Sequence, residues 1–370
     1  MQTLLVHAQA LVYTLLELMP SAYQRESLQA LLGLFWEGQG KPRPQNSLIK
    51  SASALSRFLN LYQWNSRKVI RTVRASMLQQ LLAYAPRGRR PHLQVIVDLT
   101  TLEKCGHFKA FAPLITVYNK KRGLHLVMLY LVAGEWRVPW GFRVWRGKDR
   151  RTPAQLAIRL IDSLPKKLLR AYRVTVLADT GFGSNQFILA MKKRRLPLIV
   201  GVNARRKLAD ARQLQDLAHK GQGIRLQGLD FDVFISWFYL RRNGKLEQRF
   251  VLSTRPLKGS TIAWWGRRRW SIEGFFKTIK HRFGLHGFGQ QTLLGVYRWL
   301  VLCLISFVLA HWSLLGRGHQ GLPDWGKAVA WALEILCPEV QMLQLLRQVD
   351  ATRSLFASFG FEFRLVPLTS

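Results

Sequence analysis

Between Arg255 and Arg282 the chain carries eight Lys and Arg residues and a single carboxylate, Glu273. A lone carboxylate in that much positive charge is either neutralised by its neighbours or holds a ligand that they also hold. At helical spacing, Ile272, Phe276, Ile279 and Phe283 form one apolar stripe, and Arg269, Glu273 and Lys280 form the stripe beside it. An exposed Arg–Glu pair, worth only about 0.3–0.5 kcal/mol, accounts for the same residues without chemistry. Two more carboxylates close apolar runs. Asp98 stands near the end of Leu93–Leu99 (LQVIVDL), and Asp179 follows Arg173–Ala178 (RVTVLA) and precedes Thr180, Gly181, Phe182 and Gly183. An Asp at the carboxyl end of a strand, before a glycine turn, is a common metal ligand in α/β sheets, and it is also a common helix cap. Three carboxylates make an oxygen-only donor set that selects Mg²⁺ or Mn²⁺ over zinc. Two such ions about 3.5–4 Å apart activate a nucleophile and stabilise the leaving oxygen of a phosphodiester.

Composition narrows the partners. The chain has 370 residues, 48% of them hydrophobic, and 56 Lys and Arg against 20 Asp and Glu, for a net charge of +36. That is a folded protein long enough for a core and smaller modules, and its self-repulsion calls for a polyanion. Nucleic acid is the first candidate and an anionic membrane the second. Cys105, Cys303 and Cys337 are too few and too scattered for a disulfide framework or a zinc site, and they suit a reducing cytosol. Met1–Met19 lacks a basic start and contains His7 and Glu17, so it reads as an amphipathic helix and not a signal peptide. Trp299–Leu315 is mostly apolar but short for a membrane span, and it reads as a buried helix.

The elements that must position these residues follow from periodicity. Helices are expected over Thr3–Met19 and Tyr23–Trp36, then a third capped by Asn46 or Ser47 and running to Leu59, and a fourth capped by Asn65 or Ser66 and running to about Leu82. The last two are close enough for a helix-turn-helix. The fourth helix carries Arg67, Lys68, Arg71 and Arg74 on one side, as a recognition helix in a major groove would, or as an ordinary solvated basic face would. The loop Pro86–Pro91 (PRGRRP) is a linker suited to touching phosphates. Strands are expected over Leu93–Leu99, Leu114–Val117, Leu124–Val132 and Arg137–Trp145, then a helix over Thr152–Leu164. A strand over Arg173–Ala178, a helix from Asn185 to Arg194 and a strand over Leu196–Val202 follow. Asp179 and Glu273 are too far apart for one connection. Strands at Ile224–Leu226, Phe231–Leu240 and Leu246–Leu252, the last two joined by Asn243-Gly244, therefore imply a small β-rich insertion. Trp237 or Phe238 there is either core or a platform for an unpaired base. Glu103 reads as a solvated loop acid, and His281 and His286 as structural or DNA-facing side chains. Leu293–Gly316 and Asp324–Gln348 read as apolar helices.

The ordered set Asp98-Leu99-Thr100, Ala178-Asp179-Thr180-Gly181-Phe182 and Arg269-(3)-Glu273-(6)-Lys280 resembles the DDE transposases of bacterial insertion sequences. Their motifs are D-x-T, A-D-x-G-F and Y-(2)-R-(3)-E-(6)-K. The likeness covers roughly residues 90–300, and it departs at Gly266, which stands where the signature has Tyr, with Trp265 beside it. The resemblance implies an α/β protein. An RNase H-like core (91–202 and 259–316) would be interrupted by a β-rich insertion (203–258), with an N-terminal helical DNA-binding module (1–90) and a C-terminal helical region (317–370). It implies that Asp98, Asp179 and Glu273 are catalytic and hold two Mg²⁺ ions, with Mn²⁺ as substitute. Arg267, Arg268, Arg269, Lys277 and Lys280 would contact DNA phosphates. The implied activity is strand cleavage and strand transfer at terminal inverted repeats. Its partners would be double-stranded DNA of transposon ends and target, and a second copy in a synaptic dimer. No membrane is expected, and the setting is the bacterial cytoplasm, with the nucleoid. A nuclease without strand transfer and a non-catalytic DNA-binding descendant stay open as alternatives.

Overall fold

Four helices open the chain: α1 (Gln2–Glu17), α2 (Ala22–Glu37), α3 (Ala52–Asn60) and α4 (Ser66–Tyr84). Short polar side chains start three of them. Ser21 accepts from the Gln24 N–H, Ser51 from the Ala54 N–H and Asn65 from the Lys68 N–H. The third helix thus begins at Ser51, not at Asn46 or Ser47. Pro44–Asn46 forms a separate 3₁₀ turn, and Ser47 caps only the turn to Lys50. The computed structural model describes residues 2–362 apart from 39, 86, 87, 89, 105–108, 243 and 291. Cys105, Asn243, and Pro86, Arg87 and Arg89 of the expected linker lie outside the described residues.

The strands come next: β1 (His92–Glu103), β2 (Thr116–Tyr118), β3 (Lys121–Ala133) and β4 (Trp136–Trp145). After α5 (Pro153–Ile161) and α6 (Lys166–Ala171) come β5 (Arg173–Ala178), α7 (Asn185–Lys193) and β6 (Leu198–Val202). Then follow β7 (Gln222–Arg225), β8 (Asp232–Arg242), β9 (Lys245–Ser253), α8 (Gly259–Arg268) and α9 (Ser271–His281). The last helices are α10 (Leu293–Gly316), α11 (Trp325–Leu336), α12 (Pro338–Ala351) and α13 (Arg353–Ser358).

The described residues divide into two compact units, 71–278 and the remainder on either side of it. In the first, the strands form one mixed sheet in the order β2-β3-β1-β5-β6-β9-β8-β7, with β4 also on β3. β1, β5 and β6 run parallel, and β3 is antiparallel to β1. The protein is thus α/β, built on one large mixed sheet. Residues 203–258 do not make a sheet of their own. β9 pairs antiparallel with β6, so β7, β8 and β9 extend the core sheet. The β-rich insertion expected at 203–258 takes the form of strands β7, β8 and β9 added to the core sheet. Its strands were placed well, but partner choice is set by apolar faces brought together from afar. Trp237 and Phe238 are both buried.

The second unit is helical. α10 packs against α1, α2, α3 and α11, so the first three helices and the C-terminal ones share one core. α10 is apolar and long enough to cross a membrane, yet 83% of its most apolar window is buried inside the protein. Arg298 shows how such a helix tolerates a cation. The guanidinium is buried, stacks on Trp64 (4.1 Å) and donates to the carbonyls of Phe58, Leu59, Tyr62 and Trp64 and to the Ser66 hydroxyl. Satisfying a buried charge with several acceptors offsets its loss of water.

Candidate active site

The register of two parallel strands brings the first two carboxylates together. Val97 pairs with Ala178, so Asp98 and Asp179 are the next neighbours along β1 and β5. Asp98 is not at a strand end, as the sequence suggested. β1 continues through Thr100 and Thr101 to Glu103, because β-branched residues suit a strand better than a tight turn. Asp98 instead lies mid-strand, opposite Met128 of β3. β5 does end at Ala178. Asp179 opens a 3₁₀ turn over Thr180–Phe182, and its side chain makes no capping hydrogen bond. The helix cap is Ser184 instead, which accepts from the Phe187 N–H. Close packing of this turn depends on Gly201 of β6, where a Cβ would stand 2.6 Å from Thr180 Oγ1.

Glu273 is delivered by a helix held down by aromatic packing. Ile272, Phe275 and Phe276 of α9 are buried, and the Phe275 ring stacks on Tyr130 of β3 with centroids 4.5 Å apart. Each such side chain contributes about 1.5–3 kcal/mol of burial. The expected single helix is interrupted. α8 ends at Arg268 and α9 starts at Ser271, and Ile272 and Glu273 bond back to Arg269 and Trp270 through i→i−3 contacts. Arg269 sits in that junction.

Arg269 holds all three carboxylates. Nη1 donates to Asp98 Oδ2 (2.8 Å), Nη2 donates to Glu273 Oε1 (2.7 Å), and Nε lies 3.8 Å from Asp179 Oδ1. Side-chain exposure is 11% for Arg269 and 13% for Asp98, against 49% for Asp179 and 53% for Glu273. One buried ion pair is thus flanked by two half-open acids. Asp98 Oδ1 also accepts from the Leu99 N–H at 2.7 Å. Burial raises the Asp98 carboxyl to about 7, outweighing the attraction of Arg269, with Asp179 and Glu273 adding to the rise. A buried acid crowded by two others is the setting that a cation relieves, and all its donors are oxygens, as Mg²⁺ and Mn²⁺ prefer. Among the described residues no three His, Cys, Asp or Glu side chains converge on one point. The three acids meet at the guanidinium instead.

Beside the acids opens a cleft of about 540 Å³, lined in part by Thr180, Phe238, Arg241, Arg249, Trp265 and Trp270. Gly266 lines it too, and shows why the signature Tyr is missing. A Cβ at 266 would come within 2.8 Å of Val251 Cγ2 and 3.1 Å of Phe238 Cε1, so α8 packs on β8 and β9 with no room for a side chain.

The other expected contacts are less uniform. Arg267, Arg268 and Lys277 are exposed, and Lys280 is half-buried in the last turn of α9. The guanidinium of Arg267 stacks on Phe238 (5.2 Å) and that of Arg268 on Trp264 (4.0 Å). Arg67, Lys68 and Arg71 are exposed on α4. Arg74 differs, which corrects its assignment to an open basic face. Its Nε donates to the Trp140 carbonyl (3.1 Å), so it ties α4 to β4. Glu103 pairs with Lys121 on the surface. Tyr118, at the end of β2, was not anticipated. Its hydroxyl would lie 3.5 Å from a Cβ at Gly181, over the turn that follows Asp179. The local signal is the Tyr-Asn-Lys-Lys turn, but only the pairing of β2 with β3 shows where the phenol goes.

No curated protein matches the chain. A cryo-EM structure of a piggyBac transposase synaptic complex with hairpin DNA aligns over 100% of this chain and 84% of that chain, with 12% identity and a TM-score of 0.48. Residues 89–309, more than half of the chain and all three carboxylates with it, match the transposase DDE domain, and the protein belongs to that family.

Proposed function

We propose that this DDE-family protein is a transposase that binds the terminal inverted repeats of its element, cleaves the DNA there and joins the freed ends to a target. The observation that carries the reading is the meeting of Asp98, Asp179 and Glu273 at one guanidinium, Arg269, beside an open cleft. Asp98, Asp179 and Glu273 would hold Mg²⁺ or Mn²⁺. Such ions supply activation of an attacking hydroxyl oxygen and charge stabilisation of the leaving 3′ oxygen.

The protein's own groups do the rest. Asp98 is the most buried of the three and anchors the set to the sheet, while Asp179 and Glu273 face solvent and meet the substrate. Arg269 offers hydrogen bonds suited to the non-bridging oxygens of a phosphate, and its tie to Asp98 fixes where they point. In the first reaction water attacks phosphorus, the P–O3′ bond breaks, and the 3′ oxygen leaves as a hydroxyl. In the second that hydroxyl attacks a target phosphorus in the same site, the target strand's P–O3′ bond breaks, and its 3′ oxygen leaves as a hydroxyl. The excess of 36 positive charges supports a long DNA contact that includes Arg267, Arg268, Lys277 and Lys280, with Arg67, Lys68 and Arg71 reading or gripping the duplex. Two ends must be joined, so we expect a dimer of the protein on DNA, acting in the cytoplasm.

The test is incubation of the protein and Mg²⁺ with a labelled duplex ending in the repeat that flanks the gene, together with a supercoiled target plasmid. Labelled end joined to plasmid supports transposition. Cleavage without joints assigns the site to a nuclease, and binding without cleavage refutes the catalytic reading.

A further inference from the structure

The Tyr118 phenol is the least explained group near the acids. Two residues of positive φ, Asn119 (48°) and Lys120 (63°), turn the chain from β2 into β3, and Tyr118 pairs with Lys121 across that turn. Its ring is clamped from two sides. Trp145 meets it edge-on at 5.2 Å, and His125 lies at 5.8 Å. His125 is itself fixed. Its Nε2 bonds the Thr116 carbonyl at 2.9 Å and its Nδ1 the Thr101 hydroxyl at 2.9 Å. A carbonyl only accepts, so Nε2 carries the proton and Nδ1 accepts from Thr101. Burial lowers the proton affinity of this imidazole, which keeps it neutral. β1, β2, β3 and β4 are thereby locked around one phenol.

This clamp leaves the hydroxyl one direction. It lies over Gly181, two residues past Asp179, where even a methyl group would stand at 3.5 Å. The hydroxyl makes no hydrogen bond within the described residues. The charges of Asp179 and Asp98 reach it and, after burial, add to the rise in its proton affinity, so it stays an O–H donor. A rigid, half-buried donor without a partner beside a set of carboxylates is placed for an anionic oxygen brought by a ligand.

We infer that Tyr118 is a further catalytic residue, whose hydroxyl donates a hydrogen bond to a non-bridging oxygen of the phosphate under attack. This rests on the reading of Asp98, Asp179 and Glu273 as the catalytic centre. The phenol keeps its proton throughout. It stabilises charge that grows on the phosphoryl oxygens and takes no part in bond making.

The experiment uses the full chain, Mg²⁺ and a supercoiled plasmid carrying the repeats that flank the gene. Cleavage rate at saturating plasmid, the plasmid concentration giving half that rate, and the melting temperature are measured for the wild type, Tyr118→Phe, Tyr118→Leu and Glu273→Gln. A hydrogen bond to a charged group is worth about 10- to 100-fold in rate. Tyr118→Phe keeps the ring between Trp145 and His125, so it is expected to lose that factor in rate with unchanged half-saturation and melting temperature. Full activity in Tyr118→Phe with loss only in Tyr118→Leu overturns the proposal and leaves a packing role. Loss through weaker DNA binding alone also overturns it. A wild type that does not cleave, or Glu273→Gln that cleaves equally, removes the catalytic centre itself and this proposal with it.

Discussion

Replacing Arg269 by Met removes the one cation shared by three carboxylates while keeping most of the side chain's bulk. The bonds differ in worth. The contacts to Glu273 and Asp179 involve acids that are 53% and 49% exposed, and solvent screens each to about 0–1 kcal/mol. The contact to Asp98 at 2.8 Å joins side chains only 11% and 13% exposed. Breaking such a buried pair from one side costs about 3–5 kcal/mol, because the remaining charge is stranded. That charge depends on pH. Burial holds Asp98 up to about 7, so at pH 5 it is already protonated and Arg269→Met strands nothing. At pH 8 the stranded carboxyl escapes by taking up a proton, which limits the extra loss to one pH unit, so the variant should lose about 1 kcal/mol more stability at pH 8 than at pH 5. Urea denaturation of wild type and variant at both pH values, followed by tryptophan fluorescence, measures the difference. Equal losses at pH 5 and pH 8 would refute the claim that the Asp98 pair dominates the junction.

Three further outcomes are expected. The folded Asp98 keeps its proton to about pH 7 and the unfolded one to about its ordinary value of 3.8, so the stability it contributes is full below that value and falls as pH rises through 7. Asp98→Asn should remove this decline between pH 4 and pH 7 in thermal melts compared directly with wild type. Gly266→Tyr, which puts the signature's Tyr in place, should destabilise the protein by at least about 1–3 kcal/mol, because α8 must lift from Val251 and Phe238. An unchanged melting temperature would show that the close packing there yields freely. In DNA binding measured against salt, Arg67→Ala, Lys68→Ala and Arg71→Ala should each reduce the logarithmic slope by about 0.9, whereas Arg74→Ala, held to the Trp140 carbonyl, should leave it unchanged.

The sequence carries local information well and partner choice poorly, and the site shows both. The strand RVTVLA followed by Asp179 and a glycine turn is found where its apolar run and turn residues put it. The stripe of Ile272 and Phe276 is buried as helical spacing requires. β1 runs past Asp98, a residue type that suits a strand end, because the β-branched Thr100 and Thr101 carry the strand onward. The strands of 203–258 were legible one by one, but that β9 would pair with β6 depends on faces some fifty residues apart in the chain. The spacing of Arg269 and Glu273 gave their bond. The reach of Arg269 to Asp98 needed the helix junction at Arg269–Trp270, which has no proline or glycine to mark it. Tyr118 was invisible for a related reason, since a phenol is brought to an acid sixty-one positions away only by strand register.

On the proposed function Asp98, Asp179 and Glu273 form one catalytic centre that acts on the ends of the element. A plasmid excision assay with the repeats flanking the gene, in Mg²⁺, tests it with wild type and with Asp98→Asn, Asp179→Asn and Glu273→Gln, alongside a gel shift on the same repeats. Excision by wild type, its loss in all three variants and unchanged gel shifts are the predicted result. Excision that persists in any one of the three, with DNA bound equally, would show that the three carboxylates are not one catalytic centre.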